Sequence, residues 1–154
     1  MKYLKKIGIG LILVMILIQF FPGEQPETSQ NNPGDIHNEI EIEQDISKLL
    51  KTACYDCHSN ETVYPWYSSI TPVSWLVNHD VEEGRDELNF SDWANYSLRR
   101  KNHKLEEVIE LVEEGEMPIP IYTITHSDAK LSQEEIKLLV KWAKDAMVPE
   151  IENP

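Results

Sequence analysis

The stretch Cys54-Tyr-Asp-Cys57-His58 gathers the only two cysteines of the chain and one of its five histidines into five consecutive residues. Two thiols separated by two residues and followed at once by an imidazole form the spacing at which haem is fixed covalently to a polypeptide. Each thiol can add across one porphyrin vinyl group to give a thioether, and the next side chain then turns beneath the iron. The expectation is one haem c per chain, attached through Cys54 and Cys57, with His58 as an iron ligand. Three other chemistries use the same residue types. Structural zinc needs about four ligands, whereas this cluster offers three and no second close pair. A thioredoxin-like dithiol belongs at a helix start among strands and helices. A Cys54–Cys57 disulfide would close too short a loop to stabilise much, and it leaves His58 without a role.

A second axial ligand is the next requirement. Met117 follows a Glu-rich helical stretch and precedes Pro118-Ile-Pro120, which is expected to hold the segment extended and let the thioether turn inward. Thioether ligation opposite an imidazole raises the reduction potential. His79 beside Asp80 and His103 between Asn102 and Lys104 read as solvated, His126 stays open as a competitor of Met117, and His37 is the weakest candidate. Trp66, Tyr67, Trp75, Trp93, Tyr96 and Tyr122 are candidates for haem walls as well as for plain core, and Arg85, Arg99 and Arg100 for pairing haem carboxylates.

The elements that must position these groups read as helices. Ile42, Ile46, Leu49, Leu50 and Ala53 recur at spacings of three and four and lead into Cys54. Thr71-Pro72 predicts the start of a second helix through Val73, Leu76 and Val77, with Gly84 as its stop. Ser91 reads as the cap of a short one. Leu105, Val108, Ile109 and Val112 mark a third long helix, with Glu106, Glu107, Glu110, Glu113 and Glu114 on its solvated face and Gly115 at its end. Ser132-Gln-Glu-Glu135 is a capping box, and Ile136, Leu139, Val140, Ala143 and Met147 supply the core stripe of a terminal helix. No stretch alternates as a strand. The predicted fold is all-α: a small cytochrome c-like helical domain behind an N-terminal hydrophobic anchor.

Fourteen Lys and Arg against 27 Asp and Glu give a formal charge of −13, which excludes nucleic acid as a partner and suits a redox partner with a basic docking face. Lys2, Lys5 and Lys6 precede the uncharged run Ile7 to Phe21, an export signal that ends without a small-x-small cleavage site. It is read as an uncleaved membrane anchor placing the rest on the periplasmic side of the cytoplasmic membrane, in preference to a cleaved leader that would release the domain. Residues 22–38, rich in Pro, Gln, Asn and Glu, read as a solvated flexible spacer with a reach of roughly 20–25 Å. The expected organisation is therefore a signal or anchor over 1–21, a spacer over 22–38, a haem-binding domain over 39–148 and a tail over 149–154.

The motif is followed by Tyr64-Pro-Trp-Tyr67, Asn89-Phe-Ser-Asp-Trp93 and Met117-Pro118. In this series the chain resembles the haem-binding domain family of bacterial exported c-type cytochromes, over roughly Asp45 to Met147. The resemblance implies haem attachment at Cys54 and Cys57, ligation by His58, and Met117 as the distal ligand. The function expected is one-electron transfer by a membrane-tethered carrier; the alternative is a haem-based sensor or peroxidase-like enzyme with an open sixth position.

Overall fold

The computed structural model describes residues 2–149, so Met1 and all but the first residue of the expected 149–154 tail lie outside the described residues. Its helices are α1 (Lys2–Ile18), α2 (Ile36–Glu39), α3 (Gln44–Ala53), α4 (Tyr55–His58), α5 (Val73–Glu87), α6 (Leu98–Glu114), α7 (Pro120–Thr125) and α8 (Gln133–Ala146). Short 3₁₀ turns at Trp66–Ser69, Phe90–Asn95 and Ser127–Ala129 complete it, and no strand occurs among the described residues. The all-α expectation holds.

The stripes read from spacing are the faces that pack. Ile46 and Leu50 of α3, Leu105 of α6, and Leu139, Trp142 and Ala143 of α8 enclose one core with Ile36, Tyr55, Leu88, Phe90, Trp93 and Tyr96. Each Ile, Leu or Phe removed from water in this way contributes about 1.5–3 kcal/mol before the entropic cost of ordering it. α6 lies against α8, and α3 rests on α8 and α4. Helix ends follow local chemistry. The Ser132 hydroxyl accepts from Glu135 N–H while the Glu135 carboxylate accepts from Ser132 N–H, a complete capping box. Gly115 ends α6 in the left-handed conformation (φ +74°), its N–H reaching the Leu111 and Val112 carbonyls.

Four local expectations are corrected. Gly84 lies inside α5, which runs on to Glu87, because this glycine answers a close approach from α4 and not a stop signal. Asn89, not Ser91, caps the Phe90–Asn95 turn by accepting from Ser91 N–H; the Ser91 hydroxyl instead accepts from Asn60 N–H. Pro120 opens α7 as its first residue, and Met117 and Pro118 form a bend, with the Met117 N–H returning to the Leu111 carbonyl, so the segment is not held extended.

The fourth concerns residues 22–38, which do not form a free coil. Ser29 N–H donates to Asn60 O, the Tyr64 hydroxyl to Pro26 O and the Arg85 guanidinium to Glu27 O, while Ala94 N–H donates to Gly34 O. Ile36 is fully buried and Asp35 nearly so. Backbone groups of the strap make these bonds to the domain while Glu24, Gln25, Glu27 and Gln30 stay exposed, and one isoleucine supplies the apolar anchor.

α1 stands with apolar side chains exposed along its length. Among the described residues no helix is long and apolar enough to cross a membrane. Below α1, Gln19, Phe20 and Phe21 continue the coil through N–H bonds to Ile16, Leu17 and Ile18 carbonyls.

Candidate functional site

α3 ends at Ala53, and Cys54 leaves helical geometry (φ −126°, ψ −40°) before the chain re-enters the single turn α4. The motif therefore straddles a break and does not simply terminate a helix. Cys57 N–H and His58 N–H both return to the Cys54 carbonyl, at 3.2 and 2.8 Å, which draws the two cysteines and the histidine onto one compact turn. Tyr55, between the cysteines, points the other way into the core. It stacks on Phe90 at 5.4 Å, and its hydroxyl donates to Asp35 at 3.0 and 3.1 Å.

α4 sits directly on α5 at Gly84. A Cβ there would stand 2.7 Å from the Cys57 carbonyl oxygen and 3.0 Å from Cys57 Cβ, so only glycine lets the two backbones meet. The approach has a consequence for His58. Its Nδ1 lies 2.8 Å from the Gly84 carbonyl and 3.0 Å from the Leu88 carbonyl. Both partners can only accept, so Nδ1 carries the proton and Nε2 is left with its lone pair. Burial pushes the His58 pKa below the ordinary value against the opposing pull of those carbonyl bonds, which keeps the ring neutral near pH 7. A neutral imidazole with an oriented, unengaged Nε2 is the form that ligates a metal.

The turn opens onto a cavity of about 400 Å³, within the ordinary range for small-molecule sites. Cys54, Cys57 and His58 line one side of it; Val108, Leu111 and Val112 of α6 line another; Met117, Pro118, Ile119 and Tyr122 close a third. The apolar wall suits a flat hydrophobic ring, and the donors offered to a bound group are sulfur and imidazole nitrogen. Burial, reinforced for Cys54 by Cys57, pushes the Cys54 thiol up to about 12; burial together with Asp80 and Asp56, and against Arg85, pushes Cys57 to about 11. Such thiols are poor thiolates, which weighs against a redox dithiol. A thioether sulfur is neutral and pays no such desolvation cost. Among the described residues no group of three or more His, Cys, Asp and Glu is arranged to hold a metal ion.

Of the other predicted residues, Met117 reaches the cavity wall and His126 does not. His126 stacks behind Tyr122, ring centroids 4.1 Å apart, with Nδ1 near Tyr122 O and the Thr125 hydroxyl. His79 and His103 are exposed beside Glu83 and beside Glu106 and Glu107. His37 is engaged at both nitrogens, Nδ1 with Asp35 and Tyr55, Nε2 with Ser47. Among the six aromatics proposed as walls, Tyr122 alone lines the cavity, its hydroxyl donating to Asp56 at 2.8 Å. Trp93 and Tyr96 are core, and Trp66 and Trp75 are exposed. Arg85 is committed to Ser59 O, Glu27 O and Thr62, and Arg100 lies over the Tyr96 ring.

Two contributors escaped the sequence reading. Phe90 belongs to the Asn-Phe-Ser-Asp-Trp segment and lines the cavity from the core side. Lys104, nearly buried on α6, holds its ammonium 2.6 Å from Glu107 and 3.2 Å from Glu87 at the cavity edge. Burial opposes that charge, but the bonds to Glu107 and Glu87 outweigh it and hold the pKa above the ordinary lysine value. A lysine on a Glu-rich helix gave no signal; only the facing α5 carboxylate makes the site.

Comparison with known proteins adds one positive finding. The family model described as a haem-binding domain matches residues 13–145. No curated protein and no solved structure matches the chain. The matched span begins inside α1, so the last turns of that helix and the strap over 22–38 fall within the family pattern alongside the cavity.

Proposed function

The chain belongs to the haem-binding domain family, and on that footing we propose that it is a monohaem c-type cytochrome carrying single electrons outside the cytoplasm. Haem is its cofactor, and when bound it supplies a ferric–ferrous couple. Cys54 and Cys57 would hold the ring by two thioethers. His58 would offer Nε2 to the iron, with its ring held by the Nδ1–H bonds to the Gly84 and Leu88 carbonyls, and Met117, which also lines the cavity, would offer its thioether as the second ligand. Val108, Leu111 and Val112 of α6, which line the cavity, would exclude water from the bound ring. The observation that carries this reading is the fixed His58 tautomer on the same cavity wall as both thiols.

α1 spans 17 residues, and the uncharged run Ile7 to Phe21 has 15, about 22 Å at helical rise and short of the roughly 30 Å hydrocarbon core of a bilayer. The absence of charge from that run, behind Lys2, Lys5 and Lys6, supports an N-terminal membrane anchor with the domain on the periplasmic side. The cavity edge carries Asp56, Asp80, Glu83, Glu87 and Glu107 against Lys104, an excess of negative charge that favours a redox partner with a basic docking face.

Optical and potentiometric titration of protein matured with a haem-attachment system tests the function. The expected result is a reversible one-electron wave, a six-coordinate spectrum in both states and a far-red sulfur-to-iron band in the ferric form. A five-coordinate resting spectrum would replace the carrier with a sensor or peroxidase-like enzyme.

A further inference from the structure

The chain carries 27 acidic residues, yet Thr62 to His79 contains no Asp, Glu, Lys or Arg. This uncharged stretch also carries the densest run of exposed large apolar side chains in the domain, Trp66 at 79 % with Ile70, Val73, Trp75 and Leu76 each between 39 and 46 %; Ile121 and Ile124 of α7 are exposed as well, and α7 joins this face through the Tyr67–Thr125 hydroxyl contact. Core packing does not account for them, and a protein of this charge has no solubility reason to leave them in water.

The same stretch is where the apolar N-terminal helix is fastened. The Gln19 side chain makes a paired amide bond with Thr71, its Nε2 donating to Thr71 O at 2.7 Å and its Oε1 accepting from Thr71 N–H at 3.0 Å. The Trp75 indole N–H donates to Phe21 O at 2.7 Å. Gly23, at φ +81°, lies so close to the Trp75 ring that a Cβ there would stand 3.3 Å from its edge. From that point the strap over 22–38 is bonded to the domain at Pro26, Glu27, Ser29 and Gly34. The end of α1 and the start of α5 therefore form one joint with no slack in it.

We propose that this uncharged face is a membrane-contact surface, and that the domain rests on the lipid headgroup and upper acyl region beside its own anchor. The inference rests on the reading of α1 as that anchor. Its occupant follows from continuity: a helix end immersed in lipid brings Phe20, Phe21, Trp75 and Leu76 to the interface, where indole rings with one bonded N–H and an apolar body are favoured. The opposite sign of charge is absent from the face, so attachment is hydrophobic and does not call for anionic lipid. The arrangement also sets where the cavity sits. Gly84, which supports His58, is nine residues beyond Trp75 on the same helix, about 14 Å along its axis. The site is held near the bilayer surface and is not swung on a tether, so its partner is a neighbour in or on the same membrane.

The test uses the full chain, haem attached, reconstituted in phosphatidylcholine vesicles containing a phospholipid with a photoactivatable group in its upper acyl chain. Irradiation is followed by proteolysis and mass spectrometry. Lipid adducts are expected on α1 and on the 62–79 peptide, severalfold fewer on the α8 peptide with its exposed Leu138, and fewer on 62–79 in Leu76→Asp than in the native chain. Adducts on α1 without an excess on 62–79 over α8 would overturn the contact face and leave the anchor standing. No adducts on α1 would overturn both.

Discussion

Gly84→Ala makes a demand whose sign distinguishes a designed close approach from a tolerated helical glycine. In an ordinary helix interior alanine is the better residue by about 1 kcal/mol, so the substitution should stabilise α5. Here the new Cβ would begin 2.7 Å from the Cys57 carbonyl oxygen, and ordinary contact starts at 3.4 Å, so the α4 turn must retreat by about 0.7 Å. The obstacle is backbone, which cannot rotate away. Overpacking of this kind costs about 1–3 kcal/mol, and the retreat moves the residue next to His58, stretching the bonds at 2.8 and 3.0 Å toward the limit of hydrogen bonding. Net of the propensity gain, the holoprotein should lose up to about 2 kcal/mol, a fall in Tm of up to roughly 8 °C, with the ligand-sensitive visible bands broadened. Thermal denaturation followed by circular dichroism and haem absorbance reads both effects. A variant as stable as the native protein, with an unchanged spectrum, would refute the contact and the role given to it.

Met117→Ala should leave haem attached but remove the far-red band and lower the midpoint potential by on the order of 0.1 V, within the roughly 0.8 V that axial ligation commands; His126→Ala should change neither. Tyr55→Phe deprives buried Asp35 and His37 of a shared hydroxyl and should cost about 1–3 kcal/mol in chemical denaturation while leaving the visible spectrum intact. Ser132→Ala should cost about 1 kcal/mol through loss of the α8 cap. The Ser132 N–H and hydroxyl lower the Glu135 pKa, so their stabilisation is present above the ordinary glutamate pKa and disappears as pH falls through the depressed one; the gap between native and Ser132→Ala stability should narrow in acid by the share of the hydroxyl–carboxylate bond, while the cap bond from Glu135 N–H to Ser132 Oγ keeps the native chain the more stable.

The periodic stripes of α3, α6 and α8 were legible because each buries one face against a single core, where spacing alone decides which side chains turn inward. The haem-binding family was legible because the attachment chemistry proposed for Cys54, Cys57 and His58 fixes residue type and order within five positions. Gly84 was misread as a stop since a glycine required by a neighbouring backbone leaves the same local signature as one required by a turn. Residues 22–38 were misread because hydrogen bonds to Asn60, Tyr64 and Arg85, all distant in sequence, satisfy groups that look solvent-bound in isolation. Lys104 illustrates the remaining limit: its meaning depends on Glu87 of another helix. The aromatics outside the cavity have a different explanation, since Trp66 and Trp75 belong to the uncharged face beside α1.

Covalent attachment is the claim on which the rest depends, and the mass of the matured chain tests it most directly. Protein denatured in the presence of an alkylating reagent should retain the mass of one haem, with Cys54 and Cys57 both unalkylated. A chain at its bare polypeptide mass, with both cysteines alkylated, would contradict the account.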